Sequence, residues 1–202
     1  MNPFAPLAAL LLSACLAVWP ACAEPADPFD LYDWIADLEG EWVLSPGERQ
    51  SGTESWRHPD VLPLVGTNAV GISFKRIGRD STVQEDLLPD TPKRMVTMYH
   101  CKDLECTTLK ATHYCIKLNQ PEFVANLEES TPTRIVFECD MNNDVCRSDE
   151  DHVHRIIHEI SEEGTHLKSS YLSLKDKRPV PDSTIYHFDR KPSGWFERLF
   201  GE

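Results

Sequence analysis

Leu109-Lys110-Ala111-Thr112-His113-Tyr114-Cys115, followed by Asn119-Gln120-Pro121, concentrates reactive side chains in a stretch with strand character. Successive side chains of an extended chain point to opposite faces. Leu109, Ala111, His113 and Cys115 therefore share one face, and Thr112 and Tyr114 share the other. Asn119-Gln120-Pro121 reads as the exit turn, its amides bonding the backbone or lining the mouth of whatever the strand helps to enclose.

The same reading extends in both directions. Strand candidates are 41–44, a second ending in Glu54-Ser55-Trp56, then 64–75, 94–101, 107–117, 122–127, 133–139, 152–160, 166–174 and 183–190. Pro46-Gly47, Pro89-Asp90, Lys102-Asp103, Asn142-Asn143, Glu163-Gly164 and Pro179-Val180-Pro181 supply turns between them. Gly66 and Gly71 fall inside a strand candidate, as bends or close backbone approaches of a barrel require. Ahead of the strands, Asp27-Pro28 is an N-cap with proline at the first helical position. Leu31, Trp34, Ile35 and Leu38 then lie on one helical face, and Gly40 ends the helix. Many short strands without helical crossovers predict an all-β, antiparallel up-and-down barrel of about 8–10 strands that closes its own edges. A short helix precedes it, and residues 195–200, apolar on one helical face, form a short helical tail that packs on the barrel or touches a membrane or partner.

The chain has 202 residues, 41% of them hydrophobic, which suits one domain. Residues 1–23 carry no charge, hold an apolar run and end in Ala21-Cys22-Ala23, the small-x-small form of a cleavage site. The expected organisation is a signal peptide over 1–23, a barrel domain over 24–191 and a tail over 192–202. Cleavage near Ala23 makes the expected destination periplasmic or secreted, and the alternative is a lipoprotein anchored at Cys15 in Leu12-Ser13-Ala14-Cys15. Beyond the leader nothing approaches the roughly 20 apolar residues of a membrane span. The net charge of −13 opposes binding to nucleic acid.

Export permits disulfides. Cys101 with Cys106 and Cys139 with Cys146 are closely spaced pairs that could each cross a hairpin neck, worth about 2 kcal/mol apiece. A zinc site is the competing reading, although the gaps are not those of Cys-x-x-Cys knuckles. Cys115 is left over.

Gly40-Glu41-Trp42 opening the first strand and Arg190 closing the last resemble the calycin pattern of lipocalins and fatty-acid-binding proteins. The resemblance implies a tryptophan at the closed end with the arginine stacked across it. Met98-Tyr99-His100, Thr112-His113-Tyr114-Cys115, Asn119-Gln120-Pro121 and His152-Val153-His154 are similar to a group of bacterial lipocalin-like domain proteins whose activity is not established. It covers roughly residues 31–190, and this chain departs from it by its two cysteine pairs and an acidic loop over 140–151.

Strict alternation puts His152, His154, Ile156, His158 and Ile160 on one face. If that face and the His113 face meet in a cavity, Tyr99, His113, Cys115, Asn119, Gln120, His152, His154 and Tyr171 are the ligand-binding candidates. The partner would be a small hydrophobic or amphipathic ligand. His152 and His154, with His113 or Cys115 as third donor, are metal candidates, and related barrels bind haem through a histidine. The cofactor is otherwise unknown. Cys115 beside His113 makes a poor thiol–imidazole couple, because neighbours two apart on a strand stand about 6–7 Å apart and nearly parallel. Asp140, Asn142, Asp144 and Asp151 match part of a calcium-loop template that fails at Val145, and read as a solvated acidic turn. Three functions compete: a binding barrel, a metal-using or acid/base enzyme in the same cavity, and a structural envelope protein with a filled barrel. No carboxylate partner stands at motif spacing, which favours binding over catalysis.

Overall fold

The computed structural model describes residues 26–50, 54–181 and 184–192. The expected leader, and the apolar stretch 195–200 of the tail, lie outside them. Asp27 accepts a hydrogen bond from Phe29 N at 2.8 Å and opens helix α1 (Pro28–Ala36), which buries Leu31, Tyr32, Ile35 and Ala36. The chain then enters β1 (Gly40–Leu44), β2 (Val70–Ile77), β3 (Thr82–Leu87), β4 (Met95–Cys101), β5 (Leu109–Tyr114), β6 (Glu122–Ala125) and β7 (Arg134–Cys139). A four-residue helix, α2 (Asp144–Arg147), precedes β8 (His152–Ser161) and β9 (His166–Lys175). A two-residue β10 (Arg178–Pro179) folds back antiparallel on the end of β9 before β11 (Thr184–Arg190). Apart from β10, each strand pairs antiparallel with its neighbour in sequence, β9 passes to β11, and β11 returns to β1. The result is a closed barrel of ten antiparallel strands. No helix among the described residues is long and apolar enough to cross a membrane.

Alternation fills the interior. Val83, Glu85 and Leu87 of β3 point inward, as do Met95, Thr97 and Tyr99 of β4 and Leu109, Ala111 and His113 of β5. One end is closed by α1 and the β1–β11 junction. Trp42 Nε1 donates to Leu38 O at 3.0 Å, and the Arg190 guanidinium lies 4.2 Å from the Trp42 ring centre. Arg190 also donates to the carbonyls of Asp37, Glu39 and Gly164, which binds the turn after α1 to the last strand. Gly40 adopts φ +127°, a conformation that a residue with a Cβ rarely takes. Both expected disulfides are present: Cys101–Cys106 sits at the closed end, and Cys139–Cys146 ties β7 to α2 at the other.

Three local expectations are corrected. First, the strand expected to end in Glu54-Ser55-Trp56 is a single 3-10 turn, Glu54–Arg57, after another at Gly47–Arg49. Side chains do a strand's work there. Gln50 Nε2 donates to Ser45 O and His187 O, His187 N donates to Gln50 Oε1, and Ser55 Oγ exchanges hydrogen bonds with the backbone of Ile185. Second, β3 occupies a stretch read as connection, where its three polar outward residues, Thr82, Gln84 and Asp86, weaken the apolar signal. Third, β8 carries a bulge between Val153 and Arg155. One extra residue exchanges the faces of everything beyond it, so His152 and His154 do not share the inward face of Ile156 and His158.

Gly71 is a close approach. A Cβ there would meet Phe188 Cε1 at 2.9 Å, Leu44 Cγ at 3.0 Å and Leu44 N at 3.1 Å. Replacing Gly71 with Ala should destabilise the barrel by about 1–3 kcal/mol, the usual cost of overpacking. Urea denaturation would measure it, and an unchanged midpoint would show that β1 and β11 can yield there.

Candidate functional site

The middle of the barrel is built round one carboxylate. Glu85 is fully buried, yet both its oxygens are satisfied by inward side chains of β4, β8 and β9. Oε1 accepts from Tyr171 OH at 2.7 Å and Thr97 Oγ1 at 3.2 Å; Oε2 accepts from Tyr99 OH at 2.5 Å and faces His158 Nε2 at 3.3 Å. His158 Nε2 also lies 2.9 Å from Tyr99 OH, and its Nδ1 lies 2.9 Å from Ser169 Oγ. Burial pushes the Glu85 carboxyl upward. The hydrogen bonds and charge of His158, with the bonds from Tyr99 and Tyr171, outweigh burial and hold it below the ordinary carboxyl range. Burial and the Glu85 charge in turn push both tyrosines well above theirs.

His113 joins this network at one remove. Its Nδ1 lies 2.9 Å from Thr97 Oγ1. Because Thr97 spends its only proton on Glu85, His113 Nδ1–H is the donor, and Nε2 is left as an acceptor. That Nε2 is buried without a hydrogen-bond partner among the described residues, and the ring lies 5.9 Å from the Tyr171 ring. Burial pushes the imidazole down to about 4, with Glu85 opposing and Lys117 assisting.

Above this layer, at the end away from α1, is a cavity of about 250 Å³. Leu88, Met95, Cys115, Val153, Val180 and Tyr186 give it apolar walls, and Tyr171 joins it to the layer below. Lys93, Lys117, Asp151 and Ser173 bring polar groups to it. Lys117 pairs with Asp151 and donates to Ser173 Oγ at 3.2 Å. Lys93, Thr184 and Tyr186 also border an outer groove of about 470 Å³ that reaches Arg57 and His58.

The candidates therefore divide. Tyr99, His113 and Tyr171 meet round Glu85, and Cys115 and Tyr171 border the cavity. Burial raises the Cys115 thiol, which lies 3.9 Å from Met95 Sδ and beside the backbone of Ile116 and Lys117, and the His113 ring turns to Thr97, so the two form no nucleophile couple. Asn119 Nδ2 donates to Asp151 O at 3.0 Å and so braces the turn beside the cavity, whereas Gln120 is exposed. His152 and His154 do not meet His113. They pair with each other at the barrel rim, 3.1 Å apart, within 4.8 Å of the disulfide-bonded Cys139. Asp140 accepts from Asn142 and Lys110, and Asp151 pairs with Lys117, so the acidic loop is spent on internal bonds.

Glu85, Thr97, His158 and Ser169 were not among the candidates. The carboxylate that had seemed missing lies on β3, the strand not foreseen. Its signal is the Val83-x-Glu85-x-Leu87 alternation, which puts an acid in phase with two core aliphatics. No protein-family model matches this chain, and no curated protein matches it.

Glu85→Ala should destabilise the fold by about 3–5 kcal/mol, since it strands His158, two tyrosines and Thr97 without their acceptor. Chemical denaturation would measure the loss, and a change below 1 kcal/mol would refute the network's structural weight. For His113 the unfolded ring takes its proton near 6.5 and the folded one resists until about 4. Stability should thus fall as pH drops from 6.5 towards 4, by about 3 kcal/mol from this residue. His113→Asn should shrink the stability difference between pH 7 and pH 4.5 by about 2 kcal/mol; an unaltered difference would show that the ring is accessible to protons.

Proposed function

We propose that this chain is an exported lipocalin-like barrel that binds a small amphipathic molecule at its open end. The observation that carries the reading is the cavity of about 250 Å³, apolar on its walls and polar where Lys93 and the Lys117–Asp151 pair border it. An apolar pocket with a few placed polar groups is the usual form of a small-molecule site. At roughly the volume of one water, about 30 Å³, per non-hydrogen atom, the space suits a ligand on the order of ten such atoms. That is too little for a tetrapyrrole, so haem is the weaker reading.

The calycin resemblance gains support from the closed end, where Gly40, Trp42 and Arg190 combine a left-handed turn, a buried indole and a stacked guanidinium. Two disulfides suit an oxidising compartment. Carriage is favoured over catalysis because Glu85, Tyr99, Tyr171 and His158 are committed to one another. Proton transfer to a bound molecule would have to break those bonds.

Native mass spectrometry of protein purified from its producing cells should find a small organic species retained by the wild type. Val153→Trp, which fills the cavity, should lose it while keeping its β-sheet circular dichroism. A wild type that carries nothing, and binds an environment-sensitive apolar dye no better than the filled variant, would leave the barrel a structural element.

A further inference from the structure

We propose that Cys139, Cys146, His152 and His154 form a metal site of the S2N2 class, suited to zinc, that exists only when the Cys139–Cys146 disulfide is reduced. It is independent of what the cavity holds. Three observations converge on it. The donor atoms of Cys139, His152 and His154 lie within 4.8 Å of one another, and Cys146 is bonded directly to Cys139. His152 Nε2 and His154 Nδ1 face each other at 3.1 Å. Two imidazole nitrogens about 2.0–2.1 Å from a shared tetrahedral cation stand about 3.4 Å apart, so the pair already has nearly the required bite.

The third observation is the support behind the ring. His152 Nδ1 lies 2.7 Å from Glu150 O, and a carbonyl can only accept, so Nδ1 carries the proton and Nε2 presents its lone pair. This is how ligating histidines are commonly held, with the second nitrogen donating to a backbone carbonyl. The bulge in β8 gives the cluster its place, because it releases His152 and His154 from the inward face and leaves them beside the end of β7.

In the oxidised protein the two sulfurs are bonded and offer no thiolate. A dithiol R(SH)2 reduces the bridge by exchange. The Cys139–Cys146 bond breaks, the reductant leaves as its own disulfide, and two electrons and two protons arrive on the cysteines. A zinc ion then displaces both thiol protons, and displaces the proton shared by the imidazoles from its place between them to His154 Nε2. With bonds near 2.3 Å the sulfurs must separate to about 3.7 Å. Cys146 sits on the four-residue α2, whose Asn143 cap spans only one turn, so the shift is local. Exchange with the disulfide form of the same dithiol runs the step backwards: the Cys139–Cys146 bond re-forms, the two electrons with two protons from water regenerate R(SH)2, and the ion is released, so that a disulfide unloads the metal.

The test uses untagged protein reduced with a water-soluble phosphine, which leaves as its oxide, and titrated with cobalt(II) as the spectroscopic substitute for zinc. The reduced wild type should take up one equivalent, with thiolate-to-metal charge-transfer absorption and the intense visible bands of a tetrahedral ion, bleached by added zinc. Oxidised protein should show neither. Cys101→Ser with Cys106→Ser should behave as wild type, whereas His152→Ala and the half-exposed His154→Gln should each lower affinity at least tenfold. Equal binding by the histidine variants would overturn the proposal, as would a reduced wild type that shows no tetrahedral bands. Loss of the β-sheet signal on reduction would overturn it too, since the site needs the folded barrel.

Discussion

A carboxylate in the centre of a barrel is the condition round which this interior is arranged. An unpaired buried charge would cost several kcal/mol, so the fold tolerates Glu85 only while four donors converge on it. Those donors come from strands on opposite sides of the closed sheet: β4 beside Glu85, and β8 and β9 across the lumen. The network therefore fixes the distance between walls as well as satisfying a charge. Partly satisfied, it would be worse than an apolar core; complete, it is specific to one arrangement of strands.

This filled middle determines what the two ends can be. Below it, buried Trp42 and Leu38, with Arg190 stacked on the indole, close the barrel beside α1. Above it, inward residues become smaller or apolar, with Cys115, Val153 and Ser173 replacing the aromatic layer, and space opens. Binding volume and rigid support thus lie in series along the barrel axis. Tyr171 belongs to both, since its ring borders the cavity while its hydroxyl is held by Glu85.

The closed antiparallel barrel was legible because alternation is regular in β4 and β5 and turn residues separate many short extended runs, and the disulfides were legible from the close spacing of each cysteine pair. Within the site, His113 could be named from its strand face, and Tyr99 and Tyr171 as polar contacts from the strands that carry them. Glu85 could not, because the polar outward residues of β3 dilute its apolar signal and leave the acid with no strand to take its phase from. His152 and His154 were assigned to the wrong face for a different reason: a bulge leaves no mark in hydrophobic period, and a single inserted residue reverses every inference downstream of it. Gln50 and Ser55 show the converse. Two side chains imitate a strand's hydrogen bonds against β11, which no propensity could announce.

The two disulfides span only 5 and 7 residues along the chain, and neither crosses the barrel. Oxidation can therefore be completed within isolated hairpins, and it does little to shorten the search that folding must make. The demanding step is elsewhere: β1 must find β11, joining Trp42 to Arg190 across nearly the whole domain. Loop-closure entropy makes that pairing the slow one. A chain emerging in order would hold a row of paired hairpins with one open seam until its last strand arrives, and Arg190, anchored on three carbonyls and an indole, is the latch that shuts it.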